Sequence, residues 1–108
     1  MANHRLIVFT NPKEGREQDF RDWYVNTHLA EVSNLDGFIS GQLYTLATPV
    51  AEGGHRHMAV YEIEEGRLGE AQQALGGVLK GGTLNMTDAF GPGQAALWWQ
   101  EEAPAVTR

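Results

Sequence analysis

Blocks of apolar residues, separated by Gly, Pro and Asn punctuation, divide the chain into six elements. Arg5 to Thr10 reads Arg-Leu-Ile-Val-Phe-Thr and stops at Asn11-Pro12. A short apolar run with β-branched members and that ending predicts a strand, with Leu6 and Val8 on one face and Ile7 and Phe9 on the other. From about Arg16 to Ser33 the spacing becomes helical. At roughly 100° per residue, Asp19, Asp22, Asn26, Ala30 and Ser33 form a mainly polar arc. Opposite them lie Phe20, Trp23, Tyr24, Val25, His28, Leu29 and Val32. An arc that broad exceeds an ordinary amphipathic stripe and predicts contact with more than one surface. Asn11-Pro12-Lys13-Glu14 supplies a capping Asn, an early Pro and a following carboxylate, while Gly15 moves the expected helix start towards Arg16.

After Asp36-Gly37, Phe38 to Leu46 reads as a second strand with Ile39, Gly41, Leu43 and Thr45 on one face, and Gly41 predicts a bulge or a close approach. Residues 48–54 form a loop. Arg56 to Ile63 is a third strand, apolar on both faces. Leu68, Ala71, Leu75 and Val78 or Leu79 recur at helical spacing, in a helix weakened by Gly69, Gly76 and Gly77 and stopped at Gly81-Gly82. Residues 83–94 are a long loop, a candidate lid. Ala95 to Gln100 makes the fourth strand, and Glu101 to Arg108 a frayed tail. The order β-α-β-β-α-β predicts an α+β, ferredoxin-like fold: a four-stranded antiparallel sheet with two helices on one face. The other face would stay apolar and wet, which predicts a homodimer with two sheets facing each other. Residues 1–108 form one domain, with a core of about 5–100 and a tail of about 101–108.

Composition narrows the chemistry. Of 108 residues, 42% are hydrophobic and 20% charged, the balance of a folded globular chain. A formal net charge of -6 argues against nucleic acid and acidic membrane surfaces as partners. No run approaches the roughly 20 apolar residues of a membrane span, and Met-Ala-Asn-His-Arg lacks a signal-peptide core, so a cytoplasmic protein is expected. With no cysteine there is no disulfide, no thiolate nucleophile and no cysteine-based metal site.

His28 is the leading chemical candidate. It falls within the apolar arc, imidazole is the common general acid or base near neutral pH, and Glu31 on the same helix is placed to tune it. The structural alternative is a histidine bonded to a backbone carbonyl or set against the helix C-terminal dipole. Trp23, Tyr24 and Phe20 either line a pocket or fill the core, and a tyrosine hydroxyl is a donor to a developing oxyanion. Phe9, Tyr61 and Trp98 or Trp99 are the strand candidates, with the lining face left open. Asn11 is a helix cap or a polar pocket group. His55-x-His57 raises metal ligation, but no further ligand motif accompanies it, and His57 is placed instead at the pocket mouth. The glycine-rich segments lack the spacings of a phosphate loop or a dinucleotide fingerprint. No nucleophile elbow is present, and two-carboxylate glycoside chemistry suits this architecture poorly.

The motif Phe20-x-x-Trp23-Tyr24-x-x-x-His28-Leu29-x-Glu31-Val32, followed by Leu35-Asp36-Gly37-Phe38, resembles the dimeric α/β-barrel superfamily, and within it the EthD-like branch. Asp36 stands where that motif frequently has Pro. His57-Met58-Ala59-Val60-Tyr61-Glu62 resembles the third strand of such proteins, and the likeness spans most of residues 5–100. The superfamily includes cofactor-free oxygenases, cyclases, isomerases and haem-binding enzymes, so the resemblance implies a fold and a range of activities. The expectation is a homodimeric, cofactor-independent enzyme acting on a small hydrophobic, aromatic or polyketide-like substrate. His28, Glu31 and Tyr24 would be catalytic, and Trp23, Tyr61, Phe9, Trp98 and His57 would bind substrate, with no metal. The alternatives are a non-catalytic ligand-binding or accessory protein, and a haem protein using His28 or His57 as axial ligand.

Overall fold

A computed structural model describes residues 3–108. The chain runs β1 (His4–Thr10), α1 (Glu17–Trp23), a π-helical turn (Tyr24–His28), α2 (Leu29–Ser33), β2 (Phe38–Thr45), β3 (His57–Ile63), α3 (Leu68–Gly81) and β4 (Ala95–Gln100). α1, the π turn and α2 are consecutive and form one helical rod, with α3 as the second. Neighbouring strands are antiparallel in the order β2-β3-β1-β4, an α+β arrangement consistent with a ferredoxin-like fold. No helix of the described residues is long and apolar enough to cross a membrane.

Register assigns the two faces, because paired residues point the same way. Leu6, Val8 and Thr10 pair with Tyr61, Ala59 and His57, which in turn pair with Gly41, Leu43 and Thr45. The rod packs on this face, where Leu6, Ala59, Tyr61 and Ile63 are buried with Phe20, Tyr24, Val32 and Phe38. Burial of Phe20, Leu6 and Val32 contributes roughly 1.5–3 kcal/mol each. The opposite face carries Ile7, Phe9, Met58 and Val60, with Leu97 and Trp99 at 46% and 49% exposure.

Three local expectations change. The β2 irregularity lies between Phe38 and Ser40, so Ile39 leaves the Gly41–Leu43–Thr45 face and is 57% exposed. Gly41 is instead the close approach: a Cβ there would stand 2.8 Å from the Tyr61 ring. Val25 leaves the apolar arc and is exposed. Asn11 caps nothing, since helix α1 starts at Glu17 with no side-chain cap bond. Its amide clamps the β2–β3 loop, donating from Nδ2 to the Gly54 carbonyl at 3.1 Å and accepting at Oδ1 from the Arg56 N–H at 2.8 Å.

Helix α3 is held mainly at its start. Its Ala71 is fully buried against Gly37, where φ is +87° and a Cβ would lie 2.8 Å from the Ala71 nitrogen. Leu79, near its other end, is 56% exposed. A Cβ at Gly76 or Gly77 meets nothing within 4 Å. Gly76→Ala and Gly77→Ala are therefore expected to stabilise the protein by about 0.5–1 kcal/mol each in denaturant unfolding. Gly41→Ala is expected to destabilise it by about 1–3 kcal/mol. A neutral Gly41→Ala would contradict the contact with Tyr61.

Candidate functional site

Between the rod and the sheet lies a cavity of about 120 Å³. Tyr24, His28 and Val32 line it from the rod, and Leu6, Val8, Tyr61 and Ala96 from the sheet. Leu75 and Leu79 of α3 close one side, while Met86, Phe90 and Gln94 of the 83–94 segment close another.

The π turn builds the His28 end of this cavity. Its defining bond runs from the Leu29 N–H to the Tyr24 carbonyl, five residues back. On an α-helix, residues five apart sit roughly 140° apart around the axis. The wider turn narrows that angle and lets Trp23 stack on His28, with ring centroids 4.3 Å apart and planes at 21°. Tyr24 meets the same imidazole edge-on at 5.2 Å and 87°. The imidazole is thus oriented by two aromatic neighbours, one on its face and one at its edge.

Burial lowers the pKa of His28, and the Glu31 carboxylate opposes that with a smaller effect. The ring is accordingly neutral at neutral pH, and its Nδ1 is buried without a hydrogen-bond partner among the described residues. Burial raises Tyr24 to about 12, against the neighbouring hydroxyls of Tyr61 and Thr10. Tyr61 is pushed up further, first by burial and then by Tyr24. Both phenols stay protonated and can donate. The cavity wall therefore carries a neutral imidazole, two protonated tyrosines and Gln94 among otherwise apolar side chains.

The 83–94 segment is an ordered strap, not a loose lid. Trp23 Nε1 donates to the Asn85 carbonyl at 2.5 Å, and the Asn85 backbone N–H and Nδ2 donate to Glu31 at 3.1 and 2.9 Å. Arg16 pairs with Asp88 at 3.0 Å. The far end is sewn to the segment after β1: the Lys13 N–H donates to the Ala89 carbonyl at 2.6 Å and the Gly91 N–H to the Asn11 carbonyl at 2.7 Å. Glu31 therefore acts on His28 only through its field. Its hydrogen bonds anchor the strap that roofs the cavity.

The remaining candidates disperse. Phe9 lies on the opposite sheet face and meets His55 at 5.8 Å, so it does not line this cavity. Trp98 shares the face of Leu6 but packs against Phe38 at 6.2 Å, outside the cavity lining. His57 is buried beside Phe20, its Nδ1 bonded to Thr45 Oγ1 at 3.1 Å, and it floors a separate open groove of about 800 Å³ between residues 11–21 and 45–57. That groove is the larger depression, yet its walls are solvent-facing and mixed in charge, with Glu14, Glu17, Arg21 and Arg56. Burial, then the nearby Arg56, lowers the pKa of His57. His55 turns away and donates to the Gly93 carbonyl at 2.5 Å, so the two imidazoles do not converge. Among the described residues no three His, Asp or Glu side chains are grouped to hold a metal. The cavity at His28, about 120 Å³, is smaller than the roughly 300 Å³ and more that drug-sized ligands take.

Sequence reasoning gave 83–94 as a candidate lid without singling out Met86, Phe90 or Gln94, and it missed Thr10, the neighbour of the Tyr24 hydroxyl. Thr10 was within reach, because it continues the alternation of Leu6 and Val8. The strap carries no period that would have told which of its residues face the cavity.

Both lowered histidines make stability depend on pH. The unfolded chain binds their protons more readily than the folded one, so stability is complete above the ordinary histidine pKa of 6.5 and falls as the pH drops through it towards the lowered folded values. The melting temperature is expected to fall between about pH 7.5 and about pH 5.5, and His28→Gln with His57→Gln should flatten that slope. An unchanged slope in the double variant would show that neither ring is held neutral. Releasing the strap is a separate matter: Glu31→Ala should speed amide exchange at Asn85 and its neighbours while leaving β1 and β3 protected.

No family model, no curated protein and no solved structure matches this chain, so its function is read from the chemistry of the cavity.

Proposed function

We propose that this protein is a cofactor-independent enzyme in which His28 moves a proton on a small hydrophobic, aromatic or polyketide-like substrate. The observation that carries this reading is a neutral imidazole, oriented by Trp23 and Tyr24 and with an unpartnered buried Nδ1, in an apolar cavity roofed by an ordered strap. A low-dielectric surround strengthens any charge interaction inside it, and the proper orientation of the base is fixed before substrate arrives. Tyr24 and Tyr61 position the substrate. Glu31 holds Asn85 and so tethers the strap to the rod. Proton removal is an opening step shared by isomerisation, cyclisation and cofactor-free oxygenation.

The working unit in this reading is a homodimer in the cytoplasm. The exposed Tyr44, Leu97 and Trp99 lie with Ile7, Phe9 and Val60 on the sheet face that no helix covers. Such a continuous apolar face favours a second copy as its cover. The small, roofed cavity also suits a second reading, a non-catalytic ligand-binding or accessory protein.

His28→Ala separates the two readings. Loss of turnover by roughly 10²–10⁴-fold, with binding of hydrophobic ligands retained, is the enzymatic outcome. Unchanged turnover of a confirmed substrate removes His28 from catalysis. For the assembly, sedimentation should show a dimer that Leu97→Glu or Trp99→Glu converts to a monomer. A monomeric parent protein would end the dimer reading.

A further inference from the structure

The cavity is deep on one side and open on the other. Leu6, Tyr24, Val32 and Tyr61 are no more than 2% exposed, whereas Leu79 and Met86, which line the same cavity, are 56% and 54% exposed. Two apolar side chains thus belong to the cavity and to the surface at once, and the cavity reaches the surface where they stand. The sequence of α3 shows how this edge is built. Ala71, Leu75 and Leu79 recur every four residues and share one helical face. Ala71 is fully buried, Leu75 is half-buried and Leu79 is exposed, so one apolar stripe runs outward from the core. Leu79 is therefore no isolated surface hydrophobe, since it continues a wall that begins inside. The interior is also short of space: about 120 Å³ is close to the roughly 150 Å³ at which an apolar cavity takes up benzene. One ring fills it, and any longer ligand must leave across the open edge.

We infer that the substrate is longer than the cavity: a ring-sized head lies inside, and an unbranched apolar chain leaves over Leu79 and Met86. The inference rests on the cavity identified in the proposed function and narrows the substrate class for that site. The head lies within the walls that carry Tyr24 and His28. The chain covers two side chains that are otherwise wet, and each methylene withdrawn from water adds affinity. Methionine suits such an edge, because its flexible thioether adapts to chains of different length. Binding energy gained along the chain, remote from the reacting centre, helps to hold the head against the imidazole.

Benzene, ethylbenzene and butylbenzene share a head and differ only in the chain, so titrating each into the full chain by NMR reads the affinity per methylene. The methionine methyl signals report the place, since Met86 stands at the edge and Met58 on the opposite sheet face. Affinity should rise about two- to fourfold with each methylene, and the Met86 signal should shift while that of Met58 stays. Combining Leu79→Ser with Met86→Ser should reduce the rise to less than about 1.5-fold per methylene. Both side chains are more than half exposed, so this variant should fold normally. His28→Gln should keep the rise whatever it does to turnover, which separates failure of the proton transfer from failure of the chain site. Equal affinities across the series, shifts at Met58 alone, or a rise that survives the double serine variant overturn the inference and leave the His28 reading standing. Binding of no member of the series overturns it together with the choice of cavity.

Discussion

Phe20 is the contact on which the rest of the molecule depends. It is 0% exposed and touches four rings: Tyr24 at 5.2 Å, His57 at 5.1 Å, Phe90 at 5.5 Å and Trp23 at 6.4 Å. Those rings belong to the rod, the start of β3 and the strap, so a single side chain fixes three segments distant in sequence. Edge-to-face contacts of this kind favour particular ring orientations beyond their contribution to burial. The orientation matters here because Trp23 and Tyr24, set by Phe20 on one side, set His28 on the other.

The strands and rods were legible because their periods are short and their punctuation strong. Leu6 and Val8 alternate, Ala59 and Tyr61 alternate, and Asp36-Gly37 breaks the chain where φ becomes positive. His28, Tyr24 and Tyr61 could be singled out for the same reason: each lies on an apolar face yet carries a polar atom. The π turn had a trace in the excessive width of the apolar arc, which an α-helix cannot present to one surface. What sequence could not supply was the partner of each polar group. Glu31 stands one turn from His28, which suggests a pair, but Asn85 competes for its carboxylate from 54 residues away. Likewise Asn11 has the form of a cap, and its amide instead serves the loop around Gly54.

Period-two alternation divides the work of the sheet. One set of residues, from Leu6 through Ala59 to Leu43, forms the core and the wall of the cavity. The intervening set, from Ile7 through Val60 to Leu97, forms a surface with no intrachain cover. The cavity and the association surface are therefore on opposite sides of the same backbone ladder. A substitution on one side need not touch the chemistry of the other, except at the ends of the strands, where His55 and Phe9 link the open face to the strap through Gly93.

The π turn between Trp23 and His28 has a consequence for chain length. A π turn accommodates a residue more than an α turn, so the rod behaves as an α-helix carrying a one-residue insertion. Deleting one of Val25, Asn26 and Thr27 would remove that surplus, so the rod would relax to regular α geometry and the residues beyond it would keep their faces relative to Phe20. Trp23 and the imidazole would then stand four residues apart, neighbours on one α-helical face, and Val32 would stay directed at the core. The π turn thus lets two aromatic rings and an imidazole meet although their spacing in the chain is one residue longer than an α-helix would need.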